Sequence, residues 1–413
     1  MAIAIADGPS QGPPARPSST ARTGPDDAGP TAPDGTAAPG SDGSTAPGGV
    51  RLGAAPQAGF VLAAAAALVL ALRAPAGLAV LGLALFGVLH NVLELRYVAG
   101  RFAAVLAGPL LRLLLVLVTG IVFCRLVPPS LVPRPAAQAA EILLAYGLLA
   151  AACRSGLRGR PLLLAGSGAV LVGAAAGSLA FPAYHFVVLA HLHNVVPLLF
   201  LWEWSRRLVR GRALFLALQC GWVLVVPAVL LSGALDGGLD GGPAPGTGWT
   251  ARLAVAYTPP AWLTPGVGLR FLAVFAFLQT MHYVVWVWFL PRYAPDATGA
   301  FERRVPALRG GRAWLLGVAV GGLLAVLFAA DYAQGRTVYA ALASYHAYLE
   351  FPVLLMLVLG LGEPRAAVPD PAPAPPAAVL STPPAPPTPP APPAPPTTPT
   401  FPTPVPASTE ESP

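Results

Sequence analysis

The sequence predicts an all-α protein, a polytopic integral membrane bundle of about ten transmembrane helices between disordered N- and C-terminal tails. Three observations predict it. Of the 413 residues 55% are hydrophobic and only 10% charged, where soluble domains carry about 25% charged residues. The apolar residues gather into runs of spanning length, about 20 residues being enough to cross the hydrocarbon core. The arginines fall in alternate loops, as a chain threaded repeatedly through a bilayer requires.

Residues 1–52 are rich in Gly, Pro and Ala without periodicity or an apolar run. Such a segment buries too little surface to offset its ordering entropy, so a disordered tail is expected there, and not a secretory signal. The transmembrane domain follows over 53–362. Its expected spans are 57–73, 76–96, 103–125, 138–153, 161–180, 184–204, 213–232, 269–291, 313–331 and 337–360. A long connection, 233–268, carries Asp236, Asp240, Trp249 and Trp262 and is placed to act as an external lid. Residues 363–413 are proline-dense, as in Pro383-Pro384-Ala385-Pro386-Pro387. That composition predicts an extended, disordered tail.

All 25 basic residues are arginine, and the net charge is +7. The charge lies in loops, so it orients the chain in a membrane and implies no nucleic-acid partner. Clusters follow the second span (Arg96, Arg101), the fourth (Arg154, Arg158, Arg160), the sixth (Arg206, Arg207, Arg210, Arg212) and the eighth (Arg303, Arg304, Arg309, Arg312). The connections after the fifth and ninth spans hold at most Arg336. Both termini are therefore expected in the cytoplasm of a cell with this protein in its plasma membrane. Cys124, Cys153 and Cys220 lie in apolar runs without metal-type spacing and imply no disulfide framework.

Every one of the six histidines falls inside an expected span: His90, His185, His191, His193, His282 and His346. An ionisable residue in lipid is costly enough to mark function. All six lie on the second, sixth, eighth and tenth spans, which run in one direction. Two sites share one pattern, H-x-x-x-E, in His90/Glu94 and His346/Glu350. Residues four apart stack on one helix face. A neutral imidazole over a carboxylate suits iron, manganese or zinc. Packing alone, with the Glu bonded to its own imidazole, is the competing explanation.

His191 and His193 are two residues apart, about 200° around a regular helix, and cannot face one point unless Pro197 distorts the turn carrying them. His185 and His193 lie within about 80° of each other. His185, nearest the outer end, is expected to be the supporting or interfacial histidine. In the eighth span Gln279, His282 and Trp286 form one stripe, with Gln279 placed to orient His282. Arg112, within the third span, is placed to neutralise Glu94 or an anionic substrate. Glu203 is expected to pair with Arg206 and Arg207 at the inner interface, and Asp331 to be solvated.

The expected metal ligands are thus His90, Glu94, His191, His193, His282, His346 and Glu350, with His185, Gln279 and Arg112 as supporting residues or further ligands. Six imidazoles and two carboxylates match a dinuclear centre better than a single ion, which needs about three protein ligands. The leading expectation is a membrane-bound non-haem oxidoreductase with two irons, or another transition metal. It would hydroxylate, desaturate, cleave or N-oxidise a lipophilic substrate, as a monooxygenase does, with electrons from a donor protein. The alternatives are a transporter relaying protons or metal ions through His and Glu and a b-type haem electron carrier. The many-histidine logic is similar to membrane-bound di-iron desaturases and hydroxylases. Their H-x-x-H-H and H-x-x-x-H boxes are absent, so nothing is carried over from them. Walker, G-x-S-x-G, H-E-x-x-H and C-x-x-C-H motifs are absent as well.

Overall fold

A computed structural model describes residues 52–103, 106, 108–239 and 249–359. The two tails and Asp240 lie outside the described residues. Fifteen α-helices follow in order: α1 (Ala54–Arg73), α2 (Pro75–Arg101), α3 (Gly108–Leu126), α4 (Arg134–Gly156), α5 (Pro161–Ala180), α6 (Pro182–Val195), α7 (Pro197–Ser205), α8 (Arg212–Cys220), α9 (Val226–Ser232), α10 (Trp249–Tyr257), α11 (Pro265–Tyr283), α12 (Leu290–Tyr293), α13 (Pro295–Arg304), α14 (Gly311–Ala330) and α15 (Tyr332–Val358). No strand occurs among the described residues.

Ten helical stretches are long and apolar enough to cross a membrane, the number expected from the sequence. Three of them are composite: Pro182–Ser205 joins α6 and α7, Arg212–Ser232 joins α8 and α9, and Pro265–Tyr293 joins α11 and α12. Helices are the only open-ended solution in lipid, because each backbone group bonds within its own segment. Proline opens α2, α5, α6, α7, α11 and α13. The first turn has no intrahelical use for an N–H, so proline removes a donor that would otherwise be left unpaired.

The composite spans have identifiable causes. Pro197 ends α6, and the Val196 N–H closes the joint on the carbonyls of Leu192 (3.0 Å) and His193 (3.3 Å). The His193 carbonyl, for which Pro197 has no N–H to offer, is thereby satisfied. A π-helical turn over Val284–Phe289 joins α11 to α12 just past His282. Such wide turns recur at functional sites. Pro352 lies inside α15, two residues beyond Glu350. The expected lid region contains a helix, α10, packed on α11 and α6.

Helix α11 is the centre of the bundle, buried from Phe271 to Tyr283 at every residue except half-buried Thr280. Around it stand α2, α1, α9, α6 and α10, and α2 in turn packs on α14, α13 and α15. An all-round apolar helix needs such a surround. Close approach at the site depends on two glycines. A Cβ at Gly317 of α14 would stand 2.9 Å from the Leu89 Cα, and one at Gly87 would stand 2.6 Å from the Tyr339 ring. Both contacts flank His90, so α14 and α15 sit against α2 only because those side chains are missing.

Candidate metal centre

Four helices deliver one imidazole each to a buried point: His90 from α2, His193 from α6, His282 from α11 and His346 from α15. Each of the four offers a ring nitrogen, all within 4.8 Å of one another. His90, His282 and His346 are buried and His193 nearly so. The imidazole rings lie 4.6–5.1 Å apart centroid to centroid across the cluster.

Hydrogen bonding aims the nitrogens inward. His90 Nδ1 donates to the Phe86 carbonyl, one turn back in its own helix, at 3.0 Å. His193 Nδ1 donates to Glu350 Oε2 at 2.7 Å. Each therefore turns a bare Nε2 lone pair toward the cluster, since a neutral imidazole carries a single N–H. His346 Nε2 stands 3.2 Å from the first and 3.3 Å from the second. One N–H on His346 satisfies one of these lone pairs and leaves the other facing it. A cation among the three satisfies all of them. Nitrogens about 2.0–2.1 Å from a tetrahedral ion stand about 3.3–3.4 Å from each other, close to the spacing seen.

A second group adjoins the first through His282. Glu94, His282 and Glu350 each offer an atom within 4.8 Å of the others, all three buried. Glu94 Oε2 lies 3.7 Å from His282 Nε2, beyond hydrogen-bond reach. Neither Glu94 oxygen, neither His282 nitrogen, nor Glu350 Oε1 has a hydrogen-bond partner. A buried carboxyl left this way carries a large cost of ionisation. A positive ion held by these atoms would remove it.

The remaining expected residues lie elsewhere. The structure does not bring His191 to the group: its Nε2 bonds the Tyr257 carbonyl of α10 at 2.9 Å. The helical turn stays regular enough that two residues still separate opposite faces, so Pro197 does not bring His191 and His193 together. His185 Nδ1 meets Ser178 Oγ at 3.1 Å, away from the cluster. Gln279 is buried beside the cluster, but its amide nitrogen donates to the Tyr283 hydroxyl at 2.8 Å, not to His282. Arg112 is exposed on α3. Glu203 pairs with Arg101 of α2, while Arg207 takes Asp296. Asp331 is exposed and caps α15 by accepting the Gln334 N–H at 3.0 Å. Trp262 is exposed, its ring against Phe271.

Sequence reasoning missed a charged trio beside the cluster. Arg125 of α3 donates to Glu141 Oε1 of α4 at 2.6 Å, and the Tyr348 hydroxyl donates to the same oxygen at 2.6 Å. The signal was present, since Arg125 and Glu141 are ionisable residues inside expected spans, the criterion that singled out the histidines. The chain is thus a polytopic helical membrane protein with a buried four-histidine and carboxylate cluster suited to holding metal. No family, no curated protein and no solved structure matches it.

Proposed function

We propose that this is a membrane-embedded, metal-dependent oxidoreductase whose cluster holds two transition-metal ions, with iron the leading choice. The observation that carries the reading is that His346 Nε2 lies 3.2 Å from His90 Nε2 and 3.3 Å from His193 Nε2, beside Glu94 and Glu350 oxygens without a hydrogen-bond partner. His90, His193 and His346 would hold one ion and Glu94 and Glu350 Oε1 the other, with His282 between them. A redox metal pair in such a setting supplies oxygen chemistry for hydroxylating, desaturating, cleaving or N-oxidising a lipophilic substrate.

The chain's own residues prepare that site. The Phe86 carbonyl and Glu350 fix the tautomers of His90 and His193. Tyr283 lies against the His90 ring, centroids 4.5 Å apart, and with Trp286 it helps exclude water. A donor protein would deliver electrons at the cytoplasmic face, the side on which the arginine clusters would put both termini. The plasma membrane is the corresponding location.

Clustering at one depth favours an enzyme over a relay strung across the bilayer. A haem iron would need axial nitrogens about 4 Å apart on opposite sides of a macrocycle, and 3.2 Å leaves no room for one. The test is metal analysis by plasma mass spectrometry on purified protein supplied with iron during expression. About two irons per chain, with oxygen consumption dependent on an added lipophilic substrate, is the expected result. A folded protein that binds no redox metal overturns the reading.

A further inference from the structure

Three cavities meet near the cluster. The innermost, about 280 Å³, is lined by His90, His193 and His346 on one side and by Phe186, Tyr257 and Phe275 on another. It shares Arg125, Phe186, Arg336 and Ala340 with a wider vestibule of about 1000 Å³. It shares Leu189 and Tyr348 with a third cavity of about 700 Å³, an apolar groove between α4, α5, α6 and α15. A continuous lining therefore runs from the vestibule to the imidazoles.

The vestibule is cationic. Arg125, Arg134, Arg252 and Arg336 line it, against the two carboxylates of Glu141 and Asp331. Glu141 is already taken by Arg125, and Asp331 caps α15. Arg134, Arg252 and Arg336 have no carboxylate within salt-bridge distance among the described residues, and all three are exposed to the cavity's solvent. Guanidinium groups grip carboxylate and phosphate oxygens through paired N–H donors. Burial pushes the Tyr257 phenol up to about 12, Arg336 opposing the rise. The hydroxyl on the inner wall thus stays neutral and adds no competing anion.

Arg336 and His346 are ten residues apart on α15, about 15 Å along a helix. The cavity wall between them is mostly aromatic and aliphatic, with Asn194 and Gln279 as polar members. Resting on the metal reading above, we infer that the substrate is an amphipathic oxyanion: a carboxylate or phosphate head held by Arg252, Arg336 and Arg134, with an alkyl portion reaching the histidines. On the orientation proposed, the head enters from the external side.

The test uses the full chain in phosphatidylcholine nanodiscs, after chelation and again after metal loading, with radiolabelled dodecyl phosphate as the probe. Displacement by unlabelled dodecanoate, dodecanol and inorganic phosphate is compared. Dodecanoate should compete within about tenfold of dodecyl phosphate, and dodecanol at least tenfold more weakly. An Arg252→Gln/Arg336→Gln double variant should lose at least tenfold in probe affinity, and Arg252→Lys/Arg336→Lys should recover most of it. Equal competition by dodecanol, or an unaffected Gln variant, overturns the inference. So does inorganic phosphate displacing the probe as well as dodecanoate does, because the ligand is then a small free anion. Head-group selectivity is read on chelated protein, so it stands or falls separately from metal content. A protein empty of metal yet selective for oxyanions would end the metal reading alone.

Discussion

The two H-x-x-x-E pairs look interchangeable in sequence, and in the folded chain they are not. Glu350 reaches across to another helix and holds His193 Nδ1 at 2.7 Å. Glu94 sits equally deep, yet both of its oxygens lack a hydrogen-bond partner, and the nearest imidazole nitrogen of His282 is 3.7 Å away. The histidines differ in the same way. His90 is tied by Nδ1 to its own helix at Phe86, whereas His346 Nδ1 has no partner and its Nε2 sits between two others. Spacing along one helix places a side chain on a face. The partners presented by neighbouring helices decide whether its polar atoms are hydrogen-bonded or left without a partner.

The largest effect should come from His346→Ala. Its Nε2 is the neighbour common to His90 and His193, so bound metal should fall more than tenfold while helical circular dichroism is retained. Metal retained at the wild-type level would show that the three nitrogens do not act together. Exchanging the carboxylates separates the two pairs more finely. Glu350→Gln keeps an acceptor for His193 but weakens it, and metal affinity should drop about 10–100-fold, the usual cost of losing an orienting carboxylate. Glu94→Gln should act in opposite directions in the two forms of the protein. Metal at the carboxylate group is weakened, while the chelated protein is stabilised, because a neutral amide is less costly to bury than an ion. Thermal unfolding of both variants, with and without metal, reads this directly. Identical behaviour would erase the distinction drawn here.

Smaller effects bound the site. His191→Gln and His185→Gln should each change metal content less than twofold, since both imidazoles bond outside the cluster. The smallest is an acid effect remote from it. The Gly310 N–H and then Arg96 hold the Glu302 carboxyl below its usual range. Its stabilising contribution is therefore complete above about pH 4.3 and fades as pH falls through the lower folded value. Glu302→Gln should flatten the acid limb of a plot of unfolding temperature against pH by a small margin.

How much of this was legible beforehand follows from what single segments encode. All ten spans could be read, because apolar length and arginine placement are local properties. So could the histidines that converge, since a polar side chain in lipid stands out wherever it sits. His191 counts among the expected ligands only if Pro197 distorts the turn it shares with His193, and a helix with a proline joint leaves open which of two opposite faces turns inward. The structure answers with Tyr257, a residue from α10, inside a stretch read as an external connection. The Arg125–Glu141–Tyr348 trio needed three helices brought together before its purpose could be seen. The vestibule needed α3, α4, α10 and α15.

The His90–His346 contact joins residues 256 positions apart. A ribosome adding about 5–20 residues per second needs roughly 13 to 50 seconds to travel that distance. For that interval α2 rests in the bilayer with its imidazole and carboxylate exposed to lipid or to temporary neighbours. The cluster is completed by α15, the last helix among the described residues, so a chain cut short before α15 lacks His346 and Glu350. Any metal that the cluster takes would therefore find all four imidazoles together only once α15 is in place.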